Sequence, residues 1–256
     1  MERTSDFEQL LFLYKTEGKG FDEDINNIIS FVRKNASAKC RAIYHFVDGL
    51  EWNGTEVEVH YRPHFMQNFV NNARLQRYFL DNASEQFSHF VRIGGKDVTV
   101  PTPSFNIVFQ ISHIYQHLFN EGIGLRQVLD YYYVLKSYAE LGDKGNIDWK
   151  ETLTYFGLKN ITAAIVWILI YKFGMNAEWA IVSPDEKRGT FVLNEILQGG
   201  NFGKYDERNA RFGHSKIGKN IQRLNRDLRL VRYFPSEALI EPIFRLWHAL
   251  WRYKHN

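Results

Sequence analysis

The chain has 256 residues but only one cysteine and six prolines, and no apolar run long enough to cross a bilayer. The single cysteine, Cys40, excludes an internal disulfide framework and a cysteine-rich zinc site, and it fits a reducing compartment. The start of the chain lacks the basic region and long apolar core of a signal peptide. The longest apolar run, ITAAIVWILIY at 161–171, is shorter than the about 20 residues that span a membrane. These absences predict a cytoplasmic protein without a membrane segment, in which this run is a buried helix.

The composition is that of a folded globular protein, with 45% hydrophobic and 24% charged residues and a formal net charge of +3. Basic residues accumulate near the carboxyl end, where few acidic residues accompany them. A solvated helix surface explains this cluster, and the alternative is a surface that binds nucleic acid or a protein partner. The basic residues are Arg208, Arg211, Lys216, Lys219, Arg223, Arg226, Arg229, Arg232, Arg245, Arg252 and Lys254.

Turn signals divide the chain into an α+β part and an all-helical part. Asn53-Gly54 predicts a hairpin between two strands, and Gly94-Gly95 predicts a second one. Ser104 is expected to cap the helix that follows. The predicted domains are a small mixed sheet with helices over 1–103 and a helical domain over 104–256. Helices are predicted at 71–87, 105–120, 125–139, 149–155, 161–173, 185–198, 215–232 and 236–253.

The predicted strand TEVEVHY carries polar side chains on one face. Glu56, Glu58 and His60 alternate with apolar and aromatic residues, which is most simply explained by a sheet face exposed to water. Asp6 and Glu8 are also two residues apart, hence on one face if their segment is a strand. If that strand lies beside the one bearing Glu58, three carboxylates converge into an oxygen-rich site suited to Mg²⁺. An alternative pair, Asp22 and Asp24, begins a predicted helix instead.

A second group of candidate metal ligands is histidine. His113 and His117 in HIYQH lie one helical turn apart, a spacing that can hold one metal ion. The motif lacks the glutamate of a zinc metalloprotease, and two hydrogen-bonded histidines in a helix interface are the preferred explanation. A metal-dependent hydrolase would need His60, His113 and His117 to meet in space.

Several segments in order resemble an uncharacterised bacterial nucleotidyltransferase family of the DNA polymerase β superfamily. The resemblance spans residues 3–157, and its best matched parts are VEVHYRP and HLFNEGIGLRQVLD. It implies a partial nucleotidyltransferase fold in which Asp6, Glu8 and Glu58 bind Mg²⁺, with two metal ions in the site. The implied reaction transfers a nucleotidyl group from an NTP to an unknown acceptor.

The superfamily's Gly-Ser turn, which holds the triphosphate at a helix amino terminus, has no counterpart in the five residues before Asp6. We therefore expect either a chain that begins inside the domain or one that no longer performs the transfer. Arg62, Arg74 and Arg77 are the predicted phosphate contacts, although each is also explained as an ordinary surface arginine. The alternative function is a non-catalytic binding module, a degenerate transferase whose basic helical part contacts a protein or nucleic acid.

Overall fold

In a computed structural model of the chain, the described residues are 41–42, 44, 46–52, 55–60, 62–140, 147–199, 206–210, 212 and 215–255. Asp6, Glu8, Asp22 and Asp24 lie outside this part of the chain. For the strand that carries Glu58, the backbone is described but the side chains are not. The predicted cluster of three carboxylates therefore stays a prediction.

The first sheet contains three antiparallel strands in the order β1-β2-β3. They are β1 (Arg41–Ala42), β2 (Phe46–Trp52) and β3 (Thr55–His60). Trp52 pairs with Thr55, which leaves Asn53-Gly54 as a two-residue connection. The first predicted hairpin is thereby confirmed.

The second hairpin joins β4 (Phe90–Ile93) to β5 (Lys96–Thr99). Its turn residues have positive φ, 57° at Gly94 and 80° at Gly95, as a type I′ turn requires. The prediction from the Gly-Gly pair is confirmed. Both faces of this hairpin are exposed.

Helices make up most of the remaining described chain. Asn68, Thr102, Asp148 and Ser215 cap four of them by accepting hydrogen bonds from backbone N–H groups of the first turn. The helices are α1 (Phe69–Ser88), α2 (Pro103–Asn120), α3 (Leu125–Glu140), α4 (Trp149–Tyr155), α5 (Lys159–Phe173), α6 (Glu186–Gly199), α7 (Glu207–Ala210), α8 (Lys216–Leu230), α9 (Pro235–Ala238) and α10 (Glu241–His255).

Two local predictions were wrong. The cap of α2 is Thr102 and not Ser104, because Pro103 takes the first helical position, where its missing N–H is not needed. The predicted helix over 236–253 is instead two helices, α9 and α10. Pro242 has no N–H to donate to the preceding turn, so it lies in the first turn of α10 and the two helices remain separate.

Helix α5 lies at the centre of the core, as its apolar run predicted. Residues 161–169 of this helix are all buried. Helix α6 crosses it at Gly189, where an added Cβ would overlap the indole of Trp167. The same core includes Met66 before α1 and Ala238 in α9. Among the described residues, no helix has both the length and the hydropathy needed to cross a membrane.

The described elements, mostly helices with two small antiparallel sheets, are consistent with the predicted α+β class. The predicted boundary between residues 103 and 104 stays a prediction.

Candidate functional site

The pairing of β2 with β3 is irregular directly opposite Glu58. Asp48 and Gly49 of β2 together face the single residue Glu58, so β2 carries one extra residue at this point. Such a β-bulge bends its strand locally, and bulges are common beside active sites, where they redirect side chains. The pairs that flank the irregularity are Val47 with Val59 and Leu50 with Val57.

The segment that follows β3, residues 62–68, is largely buried. Arg62 is only 6% exposed. Its guanidinium carbon lies 4.6 Å from the ring centroid of Tyr44, and Nη1 donates to the Tyr44 hydroxyl at 3.3 Å. Arg62, one of the predicted phosphate contacts, is therefore packed inside the protein, four residues after Glu58.

Glu237 of α9 fixes the end of this segment. Its Oε2 accepts hydrogen bonds from the backbone N–H groups of Gln67, at 2.8 Å, and Asn68, at 2.9 Å. Its Oε1 accepts from the side-chain amide of Asn71 at 3.2 Å. Burial raises the pKa of the Glu237 carboxyl, and the hydrogen bonds from Asn68, Asn71 and Gln67 oppose that rise. Both oxygens are therefore used as acceptors at the amino terminus of α1.

Side-chain amides hold the same segment from the other side. Met66 N–H donates to Asn72 Oδ1 at 3.1 Å, and Asn72 Nδ2 donates to the Tyr44 hydroxyl at 3.0 Å. Gln76 Nε2 donates to the carbonyl of His64 at 2.6 Å. Because these groups are buried, each bond satisfies a polar atom that water does not reach. The path of the chain after β3 is thus specified by hydrogen bonds as well as by packing.

The carboxyl-terminal helix, α10, packs against Tyr44. The Tyr44 backbone N–H donates to His248 Nε2 at 3.3 Å, which requires a neutral imidazole. Burial, together with the positive charges of Arg252 and Arg223, lowers the pKa of His248 to about 4. The ring of Tyr44 makes edge contacts with four aromatic rings, those of Phe65, Phe244, Trp247 and Trp251.

The other two predicted phosphate contacts, Arg74 and Arg77, lie on α1. Arg74 Nη1 donates to the backbone carbonyl of Tyr155 at 2.9 Å. The guanidinium carbon of Arg74 lies 4.5 Å from the centroid of the Tyr155 ring. Arg77 pairs with Asp81 at 2.8 Å, with both side chains exposed. Each arginine therefore has an intramolecular partner, and a role at a nucleotide stays a prediction.

A row of imidazoles follows α2. His64 stacks on His113 with ring centroids 4.2 Å apart, and His113 lies 4.5 Å from His117. His117 Nδ1 contacts Glu121 Oε1 at 2.9 Å, and the hydrogen bond to His117 is the main cause that lowers the pKa of Glu121. His113 therefore contacts His64 and His117 in this row. The His60 side chain, the third member of the predicted histidine group, lies outside the described part. Within the described side chains, no group of three or more His, Cys, Asp or Glu residues is arranged to hold a metal ion.

The basic residues of the carboxyl end divide into two groups. Arg208 and Arg229 both pair with Glu195, at 2.7 and 3.1 Å, and Arg226 donates to the carbonyl of Phe119 at 3.1 Å. Arg245 pairs with Glu241 at 2.8 Å. Among the described side chains of this region, the exposed basic residues are Lys219, Arg223, Arg232, Arg252 and Lys254.

One comparison with known proteins identifies the family. The sequence model of a family described as uncharacterised nucleotidyltransferase matches residues 25–171, more than half of the chain. The chain belongs to this family. In this nucleotidyltransferase family member, the matched part includes β3 with Glu58, the predicted arginines and the histidine row, and it begins after Asp6 and Glu8. No curated protein and no solved structure matches the chain.

Sequence reasoning missed the residues that hold the segment after β3. Glu237 and His248 lie far along the chain from their partners, and nothing in the local pattern marks them as buried acceptors. The bulge did carry a signal, because Gly49 interrupts an otherwise strand-like run, and an isolated glycine in a strand often marks a bulge.

Proposed function

We propose that this family member transfers a nucleotidyl group from an NTP to an acceptor hydroxyl. The bulge of Asp48 and Gly49 opposite Glu58 carries the proposal, because it singles out that position within the part of the chain that matches the family. The proposed step forms a bond from the acceptor oxygen to the α-phosphorus. It breaks the bond between the α- and β-phosphates and releases pyrophosphate and one proton.

The proposed metal ligands are Asp6, Glu8 and Glu58. Three carboxylates form a set of hard oxygen donors, which fits Mg²⁺, and the set has no sulfur or imidazole that would favour zinc. When bound, Mg²⁺ would polarise the phosphoryl oxygens and stabilise charge on the attacking and leaving oxygens, as in two-metal sites. Glu58 would contribute the carboxylate from β3.

The protein supports Glu58 through the segment that follows it. The hydrogen bonds with Glu237, Asn72 and Gln76 hold residues 64–68 in one path, so β3 leads into a buried, hydrogen-bonded segment. We propose that Arg62 stabilises this arrangement through Tyr44 and adds positive charge near the site. Arg74 and Arg77 are the proposed phosphate contacts on α1.

The test of the proposed reaction uses Mg²⁺ and each NTP labelled on either the α- or the γ-phosphate. A nucleotidyl transfer retains the α-label in the product and releases the γ-label with pyrophosphate. The proposal predicts labelling of the protein or of an added acceptor from α-labelled NTP alone. Labelling from γ-labelled NTP would instead indicate phosphoryl transfer and would contradict the proposal.

Metal binding provides a second readout. Mn²⁺ replaces Mg²⁺ at carboxylate sites and can be titrated by electron paramagnetic resonance. We expect Glu58→Gln to weaken Mn²⁺ binding by about tenfold or more, because one of three charged ligands is lost. Glu56→Gln, two residues away on β3, is the matched control and should bind Mn²⁺ as the unchanged protein does.

A second candidate function is a non-catalytic binding module. The observation that favours it is a broad exposed apolar surface on the carboxyl-terminal helices, outside the part that matches the family. A protein that binds neither Mn²⁺ nor NTP but keeps a partner on this surface would be such a module.

A further inference from the structure

The pairing between β2 and β3 has two registers, one on each side of the bulge. Between the Asn53-Gly54 turn and the bulge, Leu50 pairs with Val57, and beyond the bulge Val47 pairs with Val59. Three steps along β2 thus correspond to only two steps along β3, so the two stretches differ by one residue. The turn fixes the first stretch, because Asn-Gly sets a two-residue connection. The second stretch needs a separate constraint.

The hydrogen bonds of the ladder alone favour a sheet without the bulge. The extra residue of a bulge interrupts the ladder and stays unpaired. If the register set by the turn continued along both strands, Val47 would face His60 instead of Val59. Because successive strand residues point to opposite faces, such a slip changes which side chains share a face of the sheet. It would also remove the irregularity opposite Glu58.

Tyr44 and Arg62 join the two strands at the end of the sheet far from the turn. Phe46 pairs with His60. Tyr44 lies two residues before Phe46 and Arg62 lies two residues after His60, so the two meet where the second stretch would continue. Arg62 Nη1 donates to the Tyr44 hydroxyl at 3.3 Å, and its guanidinium carbon lies 4.6 Å from the ring centroid. This contact fits the observed register, because a slip would displace Arg62 by one position from Tyr44.

Helices hold Tyr44 in place from outside the sheet. His248 of α10 accepts a hydrogen bond from the Tyr44 backbone N–H at 3.3 Å, and Asn72 of α1 donates to the Tyr44 hydroxyl at 3.0 Å. The rings of Trp247 and Trp251 on α10 lie 5.1 and 5.8 Å from the Tyr44 ring, centroid to centroid. The position of Tyr44 is therefore set by helices and not by the strands it precedes.

We propose that Tyr44, held by His248 of α10, is a positioning residue that fixes β2 against β3 and maintains the bulge opposite Glu58. Helix α10 lies outside the part that matches the family, so a later segment of the chain determines the register of a strand in the family part. The register itself does not depend on the proposed reaction. Its consequence for metal binding by Glu58 rests on the proposed function.

Disulfide trapping measures the register directly. The chain has a single cysteine, so Cys40→Ser gives a background without thiols. In this background, Val47→Cys with Val59→Cys reports the observed register, and Val47→Cys with His60→Cys reports the slipped register. In the observed register the second pair points to opposite faces of the sheet, a geometry that disfavours a disulfide. We expect the first pair to form its disulfide at least about tenfold faster than the second.

Loss of the Tyr44 hydroxyl should release the register. Tyr44→Phe removes the acceptor used by Arg62 and Asn72 and should raise the rate of the slipped pair by about tenfold or more. Tyr138→Phe is the matched control, because Tyr138 is 8% exposed, Tyr44 is 6% exposed, and the Tyr138 hydroxyl accepts a hydrogen bond from Trp149 at 2.9 Å. The control should leave the rate within about twofold.

His248 allows a second test that includes a rescue. His248→Leu removes the acceptor of the Tyr44 N–H and should also raise the rate of the slipped pair by about tenfold. His248→Gln places an amide oxygen near the position of Nε2 and should return the rate to within about twofold of the background. His255→Leu on the same helix is the control, because His255 Nδ1 contacts the carbonyl of Trp251.

Mn²⁺ binding separates this inference from the proposed function. If Glu58 is a metal ligand, Tyr44→Phe should weaken Mn²⁺ binding by about tenfold or more, and Tyr138→Phe should not. A slip in Tyr44→Phe with unchanged Mn²⁺ affinity would contradict the metal role of Glu58 and still support the register inference. If the unchanged protein binds no Mn²⁺, the proposed function fails, and the trapping rates still decide the register.

Three outcomes of disulfide trapping would overturn the proposal. In the first, Tyr44→Phe leaves the rate of the slipped pair unchanged. In the second, Tyr138→Phe raises this rate as much as Tyr44→Phe does, which would reflect a general loss of stability. In the third, the rate rises in His248→Leu and stays raised in His248→Gln, which would show that the hydrogen bond to Tyr44 does not set the register.

Discussion

The carboxylate of Glu237 accepts a hydrogen bond from the backbone N–H of Gln67 at 2.8 Å, across 170 residues of sequence. Gln67 lies in the segment between β3 and α1, and Glu237 belongs to α9, outside the part that matches the family. The carboxyl-terminal region therefore stabilises the chain directly after the strand that carries Glu58. This hydrogen bond joins the part that matches the family to the helices that follow it.

Replacement of Glu237 tests this support. Glu237→Ala leaves the N–H groups of Gln67 and Asn68 and the amide of Asn71 without their acceptor. Because an unsatisfied buried donor costs about 1–3 kcal/mol, we expect the free energy of unfolding to fall by about 3 kcal/mol or more. Urea denaturation monitored by circular dichroism measures the change.

Glu140→Ala is the control for Glu237→Ala. Glu140 is exposed and pairs loosely with Lys136 at 3.7 Å, so its loss should change the free energy of unfolding by less than about 0.5 kcal/mol. Equal effects of the two substitutions would show that Glu237 does not hold the segment after β3.

Gly157 tests the packing beside the same cluster. Its φ is 72°, and an added Cβ would overlap the side chain of Asn71. Gly174 has a similar φ, 68°, but open space around it. Gly174→Ala should therefore cost only the about 1–2 kcal/mol of a left-handed non-glycine residue, and Gly157→Ala should cost more. Thermal unfolding compares the two.

The double variant Asn71→Ala/Gly157→Ala separates overlap from backbone strain. If overlap causes the additional loss, Gly157→Ala should cost about as much as Gly174→Ala once Asn71 is shortened. An undiminished cost in the Asn71→Ala background would place the cause elsewhere.

The raised pKa of Asp227 predicts that the stability of the protein depends on pH. Burial, a hydrogen bond with Glu241 and the negative charge of Glu241 raise the pKa of Asp227 from 3.8 to about 8. The folded protein thus keeps a proton that the unfolded chain releases. As pH rises from 3.8 to about 8, the unfolded state is increasingly favoured, and the free energy of unfolding falls.

Asp227→Asn should flatten this dependence and stabilise the protein most at high pH, because the neutral amide needs no proton. Urea denaturation over pH 4–9 gives the slopes. Asp97→Asn, at an exposed position of β5, is the control and should leave the slope unchanged. A slope that is the same in Asp227→Asn and in the unchanged protein would disprove this assignment.

The local pattern predicted those elements whose signals are themselves local. Asn53-Gly54 and Gly94-Gly95 predicted the two hairpins because Asn and Gly accept the positive φ of a type I′ turn, and the apolar run 161–171 predicted the central helix. The division of the last helical segment was missed although Pro242 marks it.

Contacts between distant segments could not be predicted in this way. Glu237 reads as a surface residue in PSEA, and only the meeting of α9 with the segment after β3 makes it a buried acceptor. Arg62 follows an acidic strand and reads as an exposed arginine or a phosphate contact, and its burial against the ring of Tyr44 is not visible in the local sequence. Both contacts depend on tertiary packing, which the residues next to each position in the sequence do not reveal.

The most direct test of the central claim compares Glu58→Gln with Glu56→Gln in nucleotidyl transfer. The measurement is the initial rate of label transfer from α-labelled NTP in the presence of Mg²⁺. Glu58→Gln should lower the rate by at least about 100-fold, because a metal carboxylate is lost, while Glu56→Gln should stay within about twofold. Transfer by Glu58→Gln at the rate of the unchanged protein would contradict a role of Glu58 as a metal ligand.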